Sequence, residues 1–184
     1  MKTTILFLAI STALLFNAPK AQAQEKMSTE ISYNVIFGPV FPIEGRSSQL
    51  DGRITLNDTT GVLEKLDFEV PLNSFIGQNA GYLAWVGNSW TFPDMQFRSN
   101  NITLKGDTWI VKGNLEFRGR NQPVTLRLNR TDKNGEIVLS GNFSLNPRDY
   151  FIIPPSIELV PNQIPMELTM VFDQPAMASS GEDS

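Results

Sequence analysis

The chain contains no cysteine and no histidine. Structural zinc sites, haem and iron–sulfur centres draw on these two residues, and so do the Ser-His-Asp and Cys-His catalytic pairs. Disulfide bonds are excluded as well, so the core has to supply the stability unaided. Only carboxylate, lysine or tyrosine chemistry remains open. These absences predict a protein that is not an enzyme and holds no metal or cofactor.

Long apolar runs are also scarce. The one example, residues 5–16, follows Lys2 and precedes the small-x-small pattern of residues 21–23. It is shorter than the roughly 20 residues of a membrane-spanning helix and is typical of a cleaved secretory signal. We therefore predict a signal peptide over residues 1–23, one domain over residues 24–174 and a flexible tail over residues 175–184, with no membrane span in the mature protein.

Basic residues are outnumbered, with 15 Lys and Arg against 19 Asp and Glu and a net charge of −4. Removal of residues 1–23 takes away two lysines and no acid, so the mature surface is more acidic still. Such a surface repels phosphate backbones, which argues against a nucleic-acid partner.

What the chain does have is apolar/polar alternation with a period of two, the pattern of half-buried strands. It recurs in eight runs: residues 31–37, 52–57, 66–70, 94–104, 109–118, 124–129, 137–145 and 166–172. The short connections, with Asn134-Gly135 the strongest hairpin signal, indicate antiparallel neighbours. We therefore predict an all-β, eight-stranded antiparallel β-barrel, preferred over a sandwich because closure removes the sheet edges.

Two segments interrupt the alternation. Residues 74–92 form a long aromatic-rich loop between the third and fourth predicted strands, and residues 147–165 are rich in proline. Long loops in compact domains are usually functional or disordered, and disordered segments are poor in aromatic residues. We expect both segments to cover one end of the barrel.

Alternation alone does not decide which face of a barrel points inward. An apolar interior corresponds to a soluble barrel, and an apolar exterior corresponds to a small outer-membrane barrel with a polar lumen. Several runs alternate for only five to seven residues, whereas a membrane strand needs about ten with aromatic girdles at both ends. The soluble arrangement is therefore favoured, with the outer-membrane barrel as the alternative.

Three stretches together resemble the YceI-like, lipocalin-like family of periplasmic polyisoprenoid-binding proteins. They are FPDMQF at residues 92–97, GNLEFRG at 113–119 followed by PVTL at 123–126, and GNFSL at 141–145 followed by Asp149-Tyr150. The resemblance implies a lipocalin-like barrel in the periplasm whose apolar channel takes up a long isoprenoid or other lipid-like amphiphile, without catalysis.

The predicted ligand-binding residues form two groups. The interior group comprises Phe68, Val70, Phe97, Gly113, Leu115, Phe117, Leu126, Leu139, Gly141 and Phe143. The lid or portal group comprises Phe75, Tyr82, Trp85, Trp90 and Phe92. Alternation leaves open whether the interior is filled by its own side chains or hollow, and the resemblance favours a channel. Gly113 and Gly141 lie on the apolar face, where a missing side chain leaves space for a ligand.

Two sets of charged residues have competing interpretations. Arg118, Arg120, Arg127 and Arg130 surround one hairpin and could meet a phosphate headgroup, although Arg118 and Arg127 fall on the polar face by parity, which favours a solvated surface. Asp67 and Glu69 share one strand face and could serve a carboxylate-dependent enzyme. The missing histidine and cysteine disfavour that alternative.

Overall fold

The computed structural model describes residues 28–37 and 41–174, and the predicted signal peptide and C-terminal tail lie outside them. Within these ranges the chain forms one antiparallel sheet of nine strands. The strands are β1 (Glu30–Phe37), β2 (Phe41–Ser47), β3 (Asp51–Leu56), β4 (Leu63–Pro71), β5 (Asp94–Lys105), β6 (Thr108–Phe117), β7 (Arg120–Lys133), β8 (Glu136–Leu145) and β9 (Ile164–Asp173). The predicted all-β antiparallel fold is confirmed, whereas the predicted count of eight strands was wrong by one.

The strand order is β2-β1-β9-β8-β7-β6-β5-β4-β3, so β2 and β3 are the two edges of the sheet. The sheet curls strongly enough to bring β3 opposite β9, because a Cβ placed on Gly52 would lie 2.9 Å from the sulfur of Met170. The resulting barrel wall is held by hydrogen-bonded ladders everywhere except between its edges.

The strand that the sequence did not reveal is β2. Its inward positions are Ile43, Gly45 and Ser47, of which only Ile43 is a large apolar residue. Gly45 is required because the ring of Tyr33, its partner on β1, lies where a Cβ would be. Pro42 is tolerated because β2 is an edge strand with one unpaired side.

The segment between β4 and β5 is partly helical, unlike the predicted loop. It contains a short 3₁₀ helix, Leu72–Ser74, and one α-helix, α1 (Gly81–Gly87). Helix α1 ends at Asn88, whose left-handed conformation (φ 54°) lets its N–H reach the last carbonyls of the helix. A second 3₁₀ helix, Pro147–Tyr150, begins the connection from β8 to β9.

The apolar face of the sheet is the inner one. Along β6, Val111, Leu115 and Phe117 are fully buried, whereas Lys112 and Asn114 are exposed. This polarity corresponds to the soluble arrangement favoured by the sequence. No helix among the described residues is long and apolar enough to cross a membrane.

Candidate functional site: the barrel interior and its covered end

The side chains predicted to line the interior do meet there. They extend inward from β4, β5, β6, β7 and β8, and each is 0–5% exposed: Phe68, Val70, Phe97, Leu115, Phe117, Leu126, Leu139 and Phe143. They belong to one continuous apolar core.

Aromatic rings occupy the centre of this core. Phe68 and Phe97 are register partners on β4 and β5, and their rings stack with centroids 5.3 Å apart. Phe143 of β8 approaches Phe68 from across the barrel at 6.1 Å. Because a cavity that holds water would leave exposed surface on its lining, the near-zero exposures mean that side chains fill this region. Of the two alternatives left by alternation, this structure has the filled interior.

The two inward glycines serve close packing. A Cβ on Gly113 would collide with the carbonyl oxygen of Arg98 on β5 and would lie 2.5 Å from the Phe97 ring, so the absent side chain lets β5 and that ring pack closely. A Cβ on Gly141 would collide with the carbonyl oxygen of Arg127, so this glycine allows β8 to approach β7 closely. The space that we expected a ligand to use at these positions is occupied by the protein itself.

Three methionines are interior residues that the predicted site did not include. Met95, Met166 and Met170 are each fully buried in the core. A methionine side chain has three rotatable bonds and repacks more readily than branched or aromatic residues. The signal was available in the sequence, because all three fall on the apolar positions of alternating runs.

The gap between β3 and β9 forms a groove of about 650 Å³. Its apolar lining comes from Ile54 and Leu56 on β3 and from Val171 and Phe172 on β9. Ile54, Leu56 and Phe172 are half-buried and pack against the core. Only side-chain contacts, and no strand pairing, therefore separate this groove from the interior.

The five aromatic residues of the predicted lid do not share one surface. Phe75 is buried and lies 5.4 Å from the ring of Tyr33, whereas Tyr82 and Phe92 are half-buried. Trp85 and Trp90 point outward, with exposed fractions of 61% and 99%.

A hydrogen bond joins the two long connections into one cover. The Tyr82 hydroxyl donates to the Leu159 carbonyl at 2.8 Å. Leu83 and Val86 of α1 are buried on the inner side of this cover, as is Val160 of the second connection. The two connections therefore lie together at one end of the barrel.

Arg118 is not on the solvated strand face that parity predicted. It occupies the β6–β7 turn with a left-handed backbone (φ 54°), and Gly119 follows with φ 68°. Its guanidinium donates to the Val86 carbonyl at 2.9 Å and lies 4.2 Å from the centre of the Phe151 ring. Arg118 therefore fastens both long connections to the barrel.

Two buried polar atoms beneath the cover have no hydrogen-bond partner among the described residues: the Tyr150 hydroxyl and Asn146 Oδ1. Tyr150 is 2% exposed, and its ring packs edge-on against Phe117 at 5.3 Å. Burial raises the pKa of the Tyr150 hydroxyl, which therefore stays protonated as a donor. One donor and one acceptor thus stand unsatisfied at the covered end of an apolar interior.

Asp67, one member of the candidate acid–base pair with Glu69, is held by contacts within the sheet. Asp67 accepts a hydrogen bond from the Ser99 N–H at 3.2 Å and lies 2.9 Å from the Lys65 ammonium. The β5–β6 register shifts between Ser99 and Asn101, so Asp67 satisfies backbone at a bulge.

A curled antiparallel sheet around an apolar core, with helical segments over one end, defines a lipocalin-like β protein. Residues 21–172 match the family model described as YceI-like domain, and the chain belongs to this family. The predicted family and the lipocalin-like fold are thereby confirmed.

Solved structures with the same fold include proteins from two bacteria. Burkholderia cenocepacia BcnA is 16% identical, with a TM-score of 0.66 over 78% of this chain and 96% of that one. A YceI protein of Campylobacter jejuni is 14% identical, with a TM-score of 0.62 over 88% and 99% of the two chains. No curated protein sequence matches the chain significantly.

Proposed function

We propose that this protein is an exported, non-enzymatic carrier or buffer that binds a long-chain apolar ligand, a polyisoprenoid or similar amphiphile, in the barrel interior. The observation that carries the proposal is an apolar core enclosed by a sheet whose edge strands, β2 and β3, are not paired with each other. The two edges of such a sheet can move apart without breaking the hydrogen bonds between neighbouring strands.

The ligand would enter the interior through the groove between β3 and β9. Opening it separates Ile54 and Leu56 from Phe172, which costs apolar contacts that an incoming alkyl chain replaces. Just inside, Met170 lies against Gly52 and can rotate away. Because the interior is filled without a ligand, binding requires the core side chains to repack around the chain.

Two unpaired polar atoms under the cover are the candidate contacts for the polar end of the ligand. The Tyr150 hydroxyl offers a donor and Asn146 Oδ1 an acceptor, and an alcohol end group can supply a partner of either kind because it both donates and accepts. Leaving such groups unpaired costs about 1–3 kcal/mol each, which a ligand would recover.

The minimum length of the ligand's apolar chain follows from comparing the free energy of burying it with the free-energy cost of association. Each methylene taken out of water contributes about 0.8 kcal/mol, whereas association costs about 4–15 kcal/mol. At the low end of that cost, a tail of about five carbons barely offsets it, and one of about fifteen leaves about 8 kcal/mol, which corresponds to micromolar binding. Longer chains bind more tightly. The signal-like residues 1–23 and the family support a periplasmic location, where lipids need shielding from water.

A reversible staple tests the entry. The chain has no cysteine, so Gly52→Cys with Met170→Cys introduces a single possible disulfide. A Cβ at position 52 would lie 3.4 Å from Met170 Cγ, the place that a cysteine sulfur would take. We expect the oxidised variant to bind an isoprenoid alcohol of about 15 carbons at least about tenfold more weakly than its reduced form.

The matched control staples strands that are already paired. Lys112→Cys and Thr125→Cys join register partners on β6 and β7, whose side chains are exposed. Oxidation of this pair should leave binding unchanged. Equal binding by the oxidised and reduced forms of the β3–β9 variant would refute the proposed entry, and no binding of any chain length by the unmodified protein would refute the function.

A further inference from the structure

The two ends of the barrel differ in chemistry. Antiparallel pairing places the connections at residues 72–93, 118–120 and 146–163 at one end, here called the mouth. The turns at residues 57–62, 105–108 and 133–136 lie at the other, here called the turn end. The turn end carries five charged residues in 14, whereas the mouth carries five in 43.

Exposed apolar side chains concentrate at the mouth end of the barrel. Of ten large hydrophobic residues exposed in the described chain, only Val62 and Leu104 lie at the turn end. The other eight are Ile36 near the end of β1, and Ile76, Trp85, Trp90, Ile152, Ile153, Ile157 and Leu159 on the mouth connections.

Two of these eight side chains share one surface. Trp85, Trp90, Arg118 and Phe151 line one groove of about 580 Å³, and Ile152 and Ile153 follow Phe151 directly. The two tryptophans alone expose about 400 Å² if each presents roughly 250 Å² when free. That already matches the largest apolar patch of an ordinary soluble monomer, and larger patches mark interaction sites.

The shape of the patch favours a fluid occupant. Trp90 is 99% exposed, and Ile152 and Ile153 are 84% and 85% exposed, so they protrude from the protein. A protein partner would need pockets that match each of these projections. A lipid bilayer needs none, and tryptophan prefers its interfacial layer, where the ring is apolar and the indole N–H reaches water.

Charge is consistent with a phospholipid surface. Residues 72–93 contain no charged side chain at all. The mouth carries Arg118, Arg120 and Arg148 against Asp149 and Glu158, a small positive excess in a chain of net charge −4. Arginine side chains at the edge of an apolar patch suit lipid phosphates.

We propose that the mouth docks onto the surface of a phospholipid bilayer, with Trp90, Ile152 and Ile153 inserted among the headgroups. The docked orientation points the turn end away from the lipid. This inference concerns a surface outside the ligand-binding interior and holds whether or not the barrel binds a ligand.

Vesicle partitioning tests it. The protein isolated from expressing cells, with its N-terminus defined by intact mass, is sedimented with phosphatidylcholine vesicles containing about one-third phosphatidylglycerol. We expect binding, with a blue shift of the fluorescence of the exposed tryptophans; the third, Trp109, is only 8% exposed. Trp90→Ser combined with Ile152→Ser and Ile153→Ser should weaken partitioning at least about tenfold.

The matched control removes the same kind of exposed apolar surface at the turn end. Val62→Ser with Leu104→Ser, at 46% and 54% exposure, should leave partitioning unchanged. Absence of vesicle binding, or equal losses in the two variants, would overturn the proposal. The proposal would also be overturned if the protein self-associates with rising concentration, the mouth variant abolishes that self-association, and added vesicles do not compete with it. The patch would then bind a second copy of the chain.

Discussion

The same chemical change at two buried tyrosines should have opposite effects on stability. Tyr33 and Tyr150 are 3% and 2% exposed, and both rings pack against a phenylalanine. The Tyr33 hydroxyl donates to the Ala80 carbonyl at 2.9 Å, whereas the Tyr150 hydroxyl has no partner among the described residues. Substitution by phenylalanine removes only the hydroxyl in each case.

The magnitudes follow from the two environments. Tyr33→Phe strands a buried carbonyl and should lower the free energy of unfolding by about 1–2 kcal/mol. Tyr150→Phe removes an unpaired buried hydroxyl and should raise the free energy of unfolding of the ligand-free protein by about 1 kcal/mol. For a chain of this size each kcal/mol shifts the melting temperature by about 2–4 °C.

The assay is thermal unfolding of delipidated protein, followed by circular dichroism, alongside titration with an isoprenoid alcohol. We expect Tyr33→Phe to melt lower and Tyr150→Phe to melt higher while binding the alcohol more weakly. If Tyr150→Phe destabilises the protein as much as Tyr33→Phe, its hydroxyl is satisfied, and the reasoning about a polar site under the cover fails.

Two further changes follow from packing and ionisation. Gly141→Ala forces a methyl group against the Arg127 carbonyl and should lower the free energy of unfolding, measured by chemical denaturation, by more than about 3 kcal/mol. Gly81→Ala, which places its Cβ where no atom lies within 4 Å, should leave the free energy of unfolding unchanged or raise it. Equal effects of the two substitutions would contradict the described spacing of β7 and β8. Burial raises the pKa of Tyr33, and that of Tyr82, to about 12, so the unfolded state ionises first and the free energy of unfolding should fall as pH rises from 10 towards 12. A stability that is flat across that range would contradict the burial of these hydroxyls.

The sequence predicted most of the sheet because eight strands bury one face and expose the other. Alternation then appears in the residues themselves, as in Val111, Leu115 and Phe117 of β6. Strand β2 was not predicted because its inward positions include Gly45 and Ser47, which do not continue an apolar/polar alternation. Their burial depends on the Tyr33 ring and on the Ser74 hydroxyl 2.5 Å from Ser47 Oγ, contacts made by distant parts of the chain.

The residues of the apolar interior were predictable from the sequence, whereas several of their contacts were not. Parity identified the interior residues, but it does not apply within turns, so Arg118 was assigned to a strand face instead of the turn where it binds Val86 and Phe151. The unpaired Tyr150 and Asn146 could not be foreseen, because a missing partner is a property of everything packed around an atom. The glycines were misleading for the same reason, since Phe97 fills the space beside Gly113.

The most direct test of the central claim is native mass spectrometry of the protein freshly released from cells, with organic extraction and lipid analysis of the same sample. The proposed function predicts a defined mass adduct that extracts as a single class of long-chain lipid and is lost in the oxidised β3–β9 staple. A clean mass without adduct, together with no uptake of an added isoprenoid alcohol of about 15 carbons, would contradict it. The filled interior would then be the permanent core of a protein that acts through its surface.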